Sequence, residues 1–160
     1  MTFRVGDKIA HPLHGAGVIE RTETRRIGGV ERVYLVLKIP VGDLDVMIPE
    51  ETCDKIGVRI IVGPAQIDEL FSAIPGIEIS TNTNWNKRFR ENMELIKSGD
   101  LLKVSSVIKG LMQRDREKGL STGERKMLHS AKQIVLSEIV LSTGESYESA
   151  EARLDACMAD

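Results

Sequence analysis

From Phe3 to about Val62, apolar and polar residues alternate with a period of two, and the alternation is broken by turn chemistry. That pattern predicts short antiparallel strands. KIAH (8–11) reads as a first strand and PLHGAG (12–17) as a turn. AGVIERTETRRI (16–27) is long enough to need a bend or bulge, and Gly28-Gly29 suits a two-residue hairpin loop. The return strand VERVYLVLKI (30–39) places Val33, Leu35, Leu37 and Ile39 on one face. Gly42-Asp43 turns the chain into LDVMIP (44–49), and GVRIIV (57–62) is the last strand. Such a run is too short for a sandwich and fits a small, partly open barrel of SH3 or Tudor type with at least one usable edge.

After Gly63-Pro64 the period becomes helical. Ile67, Leu70, Phe71 and Ile74 form a stripe at i, i+3, i+4 and i+7, which ends at Pro75-Gly76. The following segment, IPGIEISTNTN (74–84), has no period and is the linker candidate. Four helices are then predicted, at about 83–98, 100–118, 122–141 and 145–158. Asp100 caps the second, and Ser121-Thr-Gly-Glu124 and Ser142-Thr-Gly-Glu145 read as capping boxes before the third and fourth. The expected fold is α+β: a small SH3/Tudor-like antiparallel β-barrel (1–62), a helix and linker (63–82), and a compact all-α C-terminal domain (83–160).

Charge divides the chain further. Residues 1–80 carry 9 Lys and Arg against 12 Asp and Glu, residues 81–141 carry 12 against 7, and residues 142–160 carry 1 against 5. Only the middle segment, at net +5, suits a polyanion, although solvated basic helix faces would give the same count. No apolar run is long enough to span a membrane and the start has no signal-peptide core, so a cytoplasmic location is expected. Cys53 and Cys157 lie far apart and read as reduced structural thiols. His11-Pro-Leu-His14 is a turn without neighbouring ligands, so no metal is expected. Gly-x-Ser-x-Gly, HExxH and the phosphate-loop signature do not occur, so neither an enzyme nor a cofactor is expected. With Phe3 and Tyr34 as its only rings, the barrel has too few for an aromatic cage.

The remaining candidate is TNTNWNKRFRENM (81–93), where the sole tryptophan, Trp85, opens a basic helix. Trp85, Phe89, Met93 and Ile96 fall at helical spacing, which fits a bundle core. Against that, Trp85 lies in the first turn between Asn84 and Asn86, and Lys87, Arg88 and Arg90 follow. An apolar ring flanked by cations is also the composition of a minor-groove wedge. The residues alone leave both readings open.

FRVGDKIAHPLHGAGVIE (3–20), GVRIIV (57–62), TNWNKRF (83–89), SGD (98–100) and GLSTGERKMLHSAKQIV (119–135) together resemble the CarD and CdnL family of bacterial transcription factors. The resemblance runs through essentially the whole chain. It implies a barrel that docks on the RNA polymerase β subunit and a helical domain that touches promoter DNA at the upstream fork of the transcription bubble. Trp85 would be the wedge, with Lys87, Arg88, Arg90, Arg125 and Lys126 on the DNA backbone. Arg25 and Ile27 match positions used toward polymerase; Met47 departs from the basic residue that some relatives carry there. A nucleoid-associated monomer without a small-molecule ligand is implied, with residues 75–83 as a short tether that keeps a weak DNA site at high local concentration. The alternative is a protein–protein adaptor whose barrel adds to a partner's sheet edge and whose helices bind a second protein.

Overall fold

The computed structural model describes residues 3–79 and 84–159. Five antiparallel strands form one sheet in the order β4-β3-β2-β1-β5: β1 (Lys8–His11), β2 (Gly15–Ile27), β3 (Val30–Ile39), β4 (Leu44–Pro49) and β5 (Arg59–Ile60). The sheet curls around Ile9, Ile19, Leu35, Leu37, Ile39 and Ile48, but β4 and β5 do not pair, so the barrel stays open. Leu35, Leu37 and Ile39 face inward as the alternation requires, and the expected irregularity in β2 is a register shift between Ile19 and Arg21. Gly28 and Gly29, both at positive φ, make the two-residue hairpin turn.

Two details differ from the expected strands. The last strand pairs only through Arg59 and Ile60, not over 57–62. A 3-10 turn (Glu50–Thr52) and the short helix α1 (Cys53–Ile56) precede it and bring Cys53 and Val58 into the barrel core.

Beyond the sheet lie α2 (Pro64–Ala73), α3 (Trp85–Lys97), α4 (Leu101–Lys118), α5 (Thr122–Thr143) and α6 (Tyr147–Met158). Ile67, Leu70 and Phe71 of α2 are buried in one core with Val104, Ile108 and Leu111 of α4, Val135 and Ile139 of α5 and Leu154 of α6. The linker candidate is therefore a connection between α2 and α3, both of which pack on that core; residues 80–83 lie outside the described residues. Its first turns are fixed by the buried Lys109, whose Nζ donates to the carbonyls of Ile74, Pro75 and Ile77 at 3.0, 3.0 and 3.1 Å.

The second expected capping box does not form. Ser142 and Thr143 still belong to α5, Gly144 closes that helix, and Ser146 caps α6 by accepting from the Ser149 amide. Ser142 instead donates its hydroxyl to the Val62 carbonyl at 2.7 Å.

That bond belongs to the joint between sheet and helices. Glu138 of α5, only 2% exposed, accepts from Arg59 Nη1 (2.7 Å), Arg59 Nη2 (2.9 Å) and the Val62 amide (2.9 Å). Arg59 also donates to the Gly99 carbonyl. At the start of β2, the Ala16 amide donates to Ser137 Oγ at 2.8 Å. Backbone and helix approach so closely here that a Cβ on Gly15 would lie 2.5 Å from that hydroxyl oxygen. No helix among the described residues is long and apolar enough to cross a membrane.

Candidate nucleic-acid interface

Trp85 is the first residue of α3, directly after the N-cap Asn84, whose side chain accepts from the Lys87 amide. A side chain in a first helical turn leans back past the helix end, because Cα–Cβ bonds tilt toward the N-terminus. The indole accordingly remains 42% exposed. One face stacks on Phe89 (centroids 4.9 Å apart, planes 20° apart), and Nε1–H donates to Ser121 Oγ at 3.3 Å. Phe89 and Met93, further down the same stripe, are half-buried, and Ile96 is fully in the core. The stripe thus runs from core to solvent and ends in the ring.

Ser121 is the N-cap of α5, so its contact with Trp85 brings the N-termini of α3 and α5 together. The exposed cations Lys87 and Arg90 on α3 and Arg125 and Lys126 on α5 stand within the first two turns of these helices. Arg125 Nε donates to the Leu120 carbonyl at 3.3 Å, which holds its guanidinium near the helix start. An exposed ring thus stands where two helix N-termini meet, with exposed cations on both helices.

Arg88 is placed differently from the other cations. Its Nε donates to Glu124 Oε2 at 3.0 Å, and its side chain is largely covered. Spacing explains the difference: Arg88 lies three residues after Trp85 and turns to the same side, toward α5, whereas Lys87 and Arg90 do not. Glu124 is equally instructive. It closes the predicted capping box in part, its amide donating to Ser121 Oγ at 3.2 Å, but its carboxylate is buried between Arg88 and Arg114 (Oε1 to Arg114 Nε, 3.7 Å). This ion cluster could not be read from sequence, since its members come from three helices.

On the sheet, Arg25 and Ile27 lie near the tip of the β2–β3 hairpin, where the pairing continues beyond the last β3–β4 pair, Tyr34 with Pro49. Residues 24–33 therefore extend as a two-stranded ribbon, and Ile27 is 62% exposed. Arg25 donates to Glu23, which also accepts from Arg21; bonds from Arg21 and then Arg25 hold the Glu23 carboxyl below its ordinary range. Met47 pairs with Val36, which pairs with Arg21, and alternation puts Arg21, Arg25, Ile27 and Met47 on one face of the sheet. Met47 sits in the sheet proper, half-buried on edge strand β4, and Arg25 and Ile27 lie further out along that face.

Among the described residues, no group of His, Cys, Asp and Glu is arranged to hold a metal ion. Residues 3–62 match the family model described as CarD-like/TRCF RID domain, and residues 69–155 match the one described as CarD, C-terminal domain. A Bacillus subtilis (strain 168) protein named "Putative transcription factor YdeB" is 28% identical over 142 residues, which cover 89% of this chain and 93% of that protein. With a barrel of the first type followed by a helical half of the second, the chain belongs to the CarD family of transcription regulators.

Proposed function

We propose that the chain binds the RNA polymerase β subunit through its barrel and stabilises the open promoter complex by inserting Trp85 into the minor groove at the upstream edge of the bubble. The observation that carries this reading is the exposed indole at the meeting point of two basic helix N-termini. Lys87, Arg90, Arg125 and Lys126 are its phosphate contacts, and the outer sheet face with Arg25, Ile27 and Met47 is its polymerase side. The family match to a CarD-like/TRCF RID domain supports a polymerase partner.

Four exposed cations give only weak, sequence-independent DNA affinity, on the order of 10⁻⁴ to 10⁻⁶ M at physiological salt. Selectivity then comes from stacking energy. Entering an intact base step costs a few kcal/mol, whereas a step at a single-strand junction has already lost part of its stacking. A ligand that binds the opened state better shifts the equilibrium by that difference, tenfold for each ~1.4 kcal/mol.

Replacing Trp85 by Ala is expected to leave the fold and polymerase binding intact and to shorten open-complex lifetime in a heparin-challenge decay assay. A lifetime equal to that of the wild type would remove the wedge. A second reading, an adaptor that adds to a partner sheet, is favoured by one observation: among the described residues, β4 is an edge strand paired on one side only. Salt separates the two, since recruitment through DNA weakens with ionic strength and loses slope when Lys87 is neutralised.

A further inference from the structure

The ring is held by a bonded chain of groups that ends on a buried charge. Ser121 Oγ accepts from Trp85 Nε1 (3.3 Å) and from the Glu124 amide (3.2 Å), and its own proton is directed at Glu124 Oε1 (3.4 Å). One hydroxyl thus uses its donor and both acceptor positions. Glu124 in turn takes Arg88 Nε on Oε2 and faces Arg114 Nε across 3.7 Å on Oε1. Trp85 and Arg88, three residues apart, share a side of α3. Glu124 therefore grips α3 at two points, directly through Arg88 and through Ser121 at the indole edge. Phe89 backs the ring, and Gly123 passes beneath it: a Cβ there would lie 3.8 Å from both Phe89 and Trp85.

We propose that Ser121 and Glu124 are positioning residues for Trp85, which fix the indole in one orientation before DNA arrives; this rests on the wedge reading above. The chemistry favours a hold of this kind because a ring that enters a base step must be oriented, and ordering it beforehand removes that cost from binding. Arg88 acts in the same assembly rather than on phosphate.

Trp85 is the only tryptophan, so time-resolved fluorescence anisotropy of the full chain reports this ring alone. Ser121→Gly removes the hydroxyl while keeping most of the N-cap preference, and Ser121→Thr keeps both. For Ser121→Gly we expect faster indole motion on the nanosecond scale and an open-complex lifetime shortened about two- to tenfold. The salt slope of DNA binding should not change, because no cation is removed. Ser121→Thr should behave as wild type, and Glu124→Gln, with its grip on Arg88 weakened, should loosen the ring as Ser121→Gly does. Unchanged anisotropy in Ser121→Gly would overturn the proposal. So would a loosened ring with an unshortened lifetime where Trp85→Ala shortens it, or a longer lifetime, which would mean that the hydroxyl restrains the ring. If Trp85→Ala has no effect on lifetime, the wedge fails on its own, and the anisotropy still decides whether Ser121 and Glu124 hold the indole.

Discussion

Replacing Glu138 by Ala should uncouple the sheet from the helices. The carboxylate is nearly fully buried and receives three hydrogen bonds, two from Arg59 and one from the Val62 amide. Its loss strands the amide, at about 1–3 kcal/mol, and removes two charge-assisted bonds. Arg59 is about one-third exposed and recovers part of that by hydration. The expected net loss is about 2–4 kcal/mol, below or near the 3–5 kcal/mol typical of breaking a fully buried pair. With a urea slope of about 2 kcal/mol/M for a chain of this size, the unfolding midpoint should fall by about 1–2 M. Far-ultraviolet circular dichroism and Trp85 fluorescence should follow the transition together in the wild type and separate in the variant. A double-mutant cycle with Arg59→Met should return a coupling of about 1–3 kcal/mol. A midpoint shift below about 0.3 M, or a coupling near zero, would refute the argument that this contact joins the two halves.

Two other perturbations test the interior. His11 is buried, and its Nδ1 accepts from the Leu13 amide; burial, and secondarily His14, lower its pKa from 6.5 to about 4. Above pH 6.5 both folded and unfolded forms are neutral; between 6.5 and about 4 only the unfolded chain takes the proton, so stability falls with pH by about 3 kcal/mol in total. Urea midpoints across that range should show this loss in wild type and lack it in His11→Asn; parallel pH profiles would exclude His11 as its source. Lys109→Met removes the group that bonds three carbonyls after α2, and should lower stability by about 2–3 kcal/mol, or the thermal midpoint by about 5–10 °C. A calorimetric midpoint within about 1 °C of wild type would show those carbonyls to be satisfied without it.

Much of this was legible because periodicity reports burial. The inward set Leu35, Leu37 and Ile39, the irregularity in β2, the Gly28-Gly29 turn and the stripe of Ile67, Leu70, Phe71 and Ile74 all follow from spacing alone. The second Ser-Thr-Gly-Glu was misread because a capping box and the end of a helix can share the same residues. What decides between them is that Ser142 has a carbonyl to bond at Val62, eighty residues earlier in the chain. The short β5 was overestimated because GVRIIV is apolar over a longer stretch than the two residues that pair with β1. The distinction between Lys87 and Arg88 was likewise hidden: adjacent cations differ only in which helix they meet, and Glu124 lies 36 positions further on. Trp85 was left open by its spacing; its place in the first turn of α3 leaves it 42% exposed with one face stacked on Phe89.

The joint at Val62 has one more consequence. Its amide and its carbonyl are both bonded to α5, which restrains the crossing from sheet to helices at two points. On the proposed reading, the polymerase face and the indole are then the two jaws of a caliper. A hinged protein would accept a fork at many separations; a joint bonded on both sides of Val62 narrows that range. Without reading a single base, such a gauge would report how far the strands have parted.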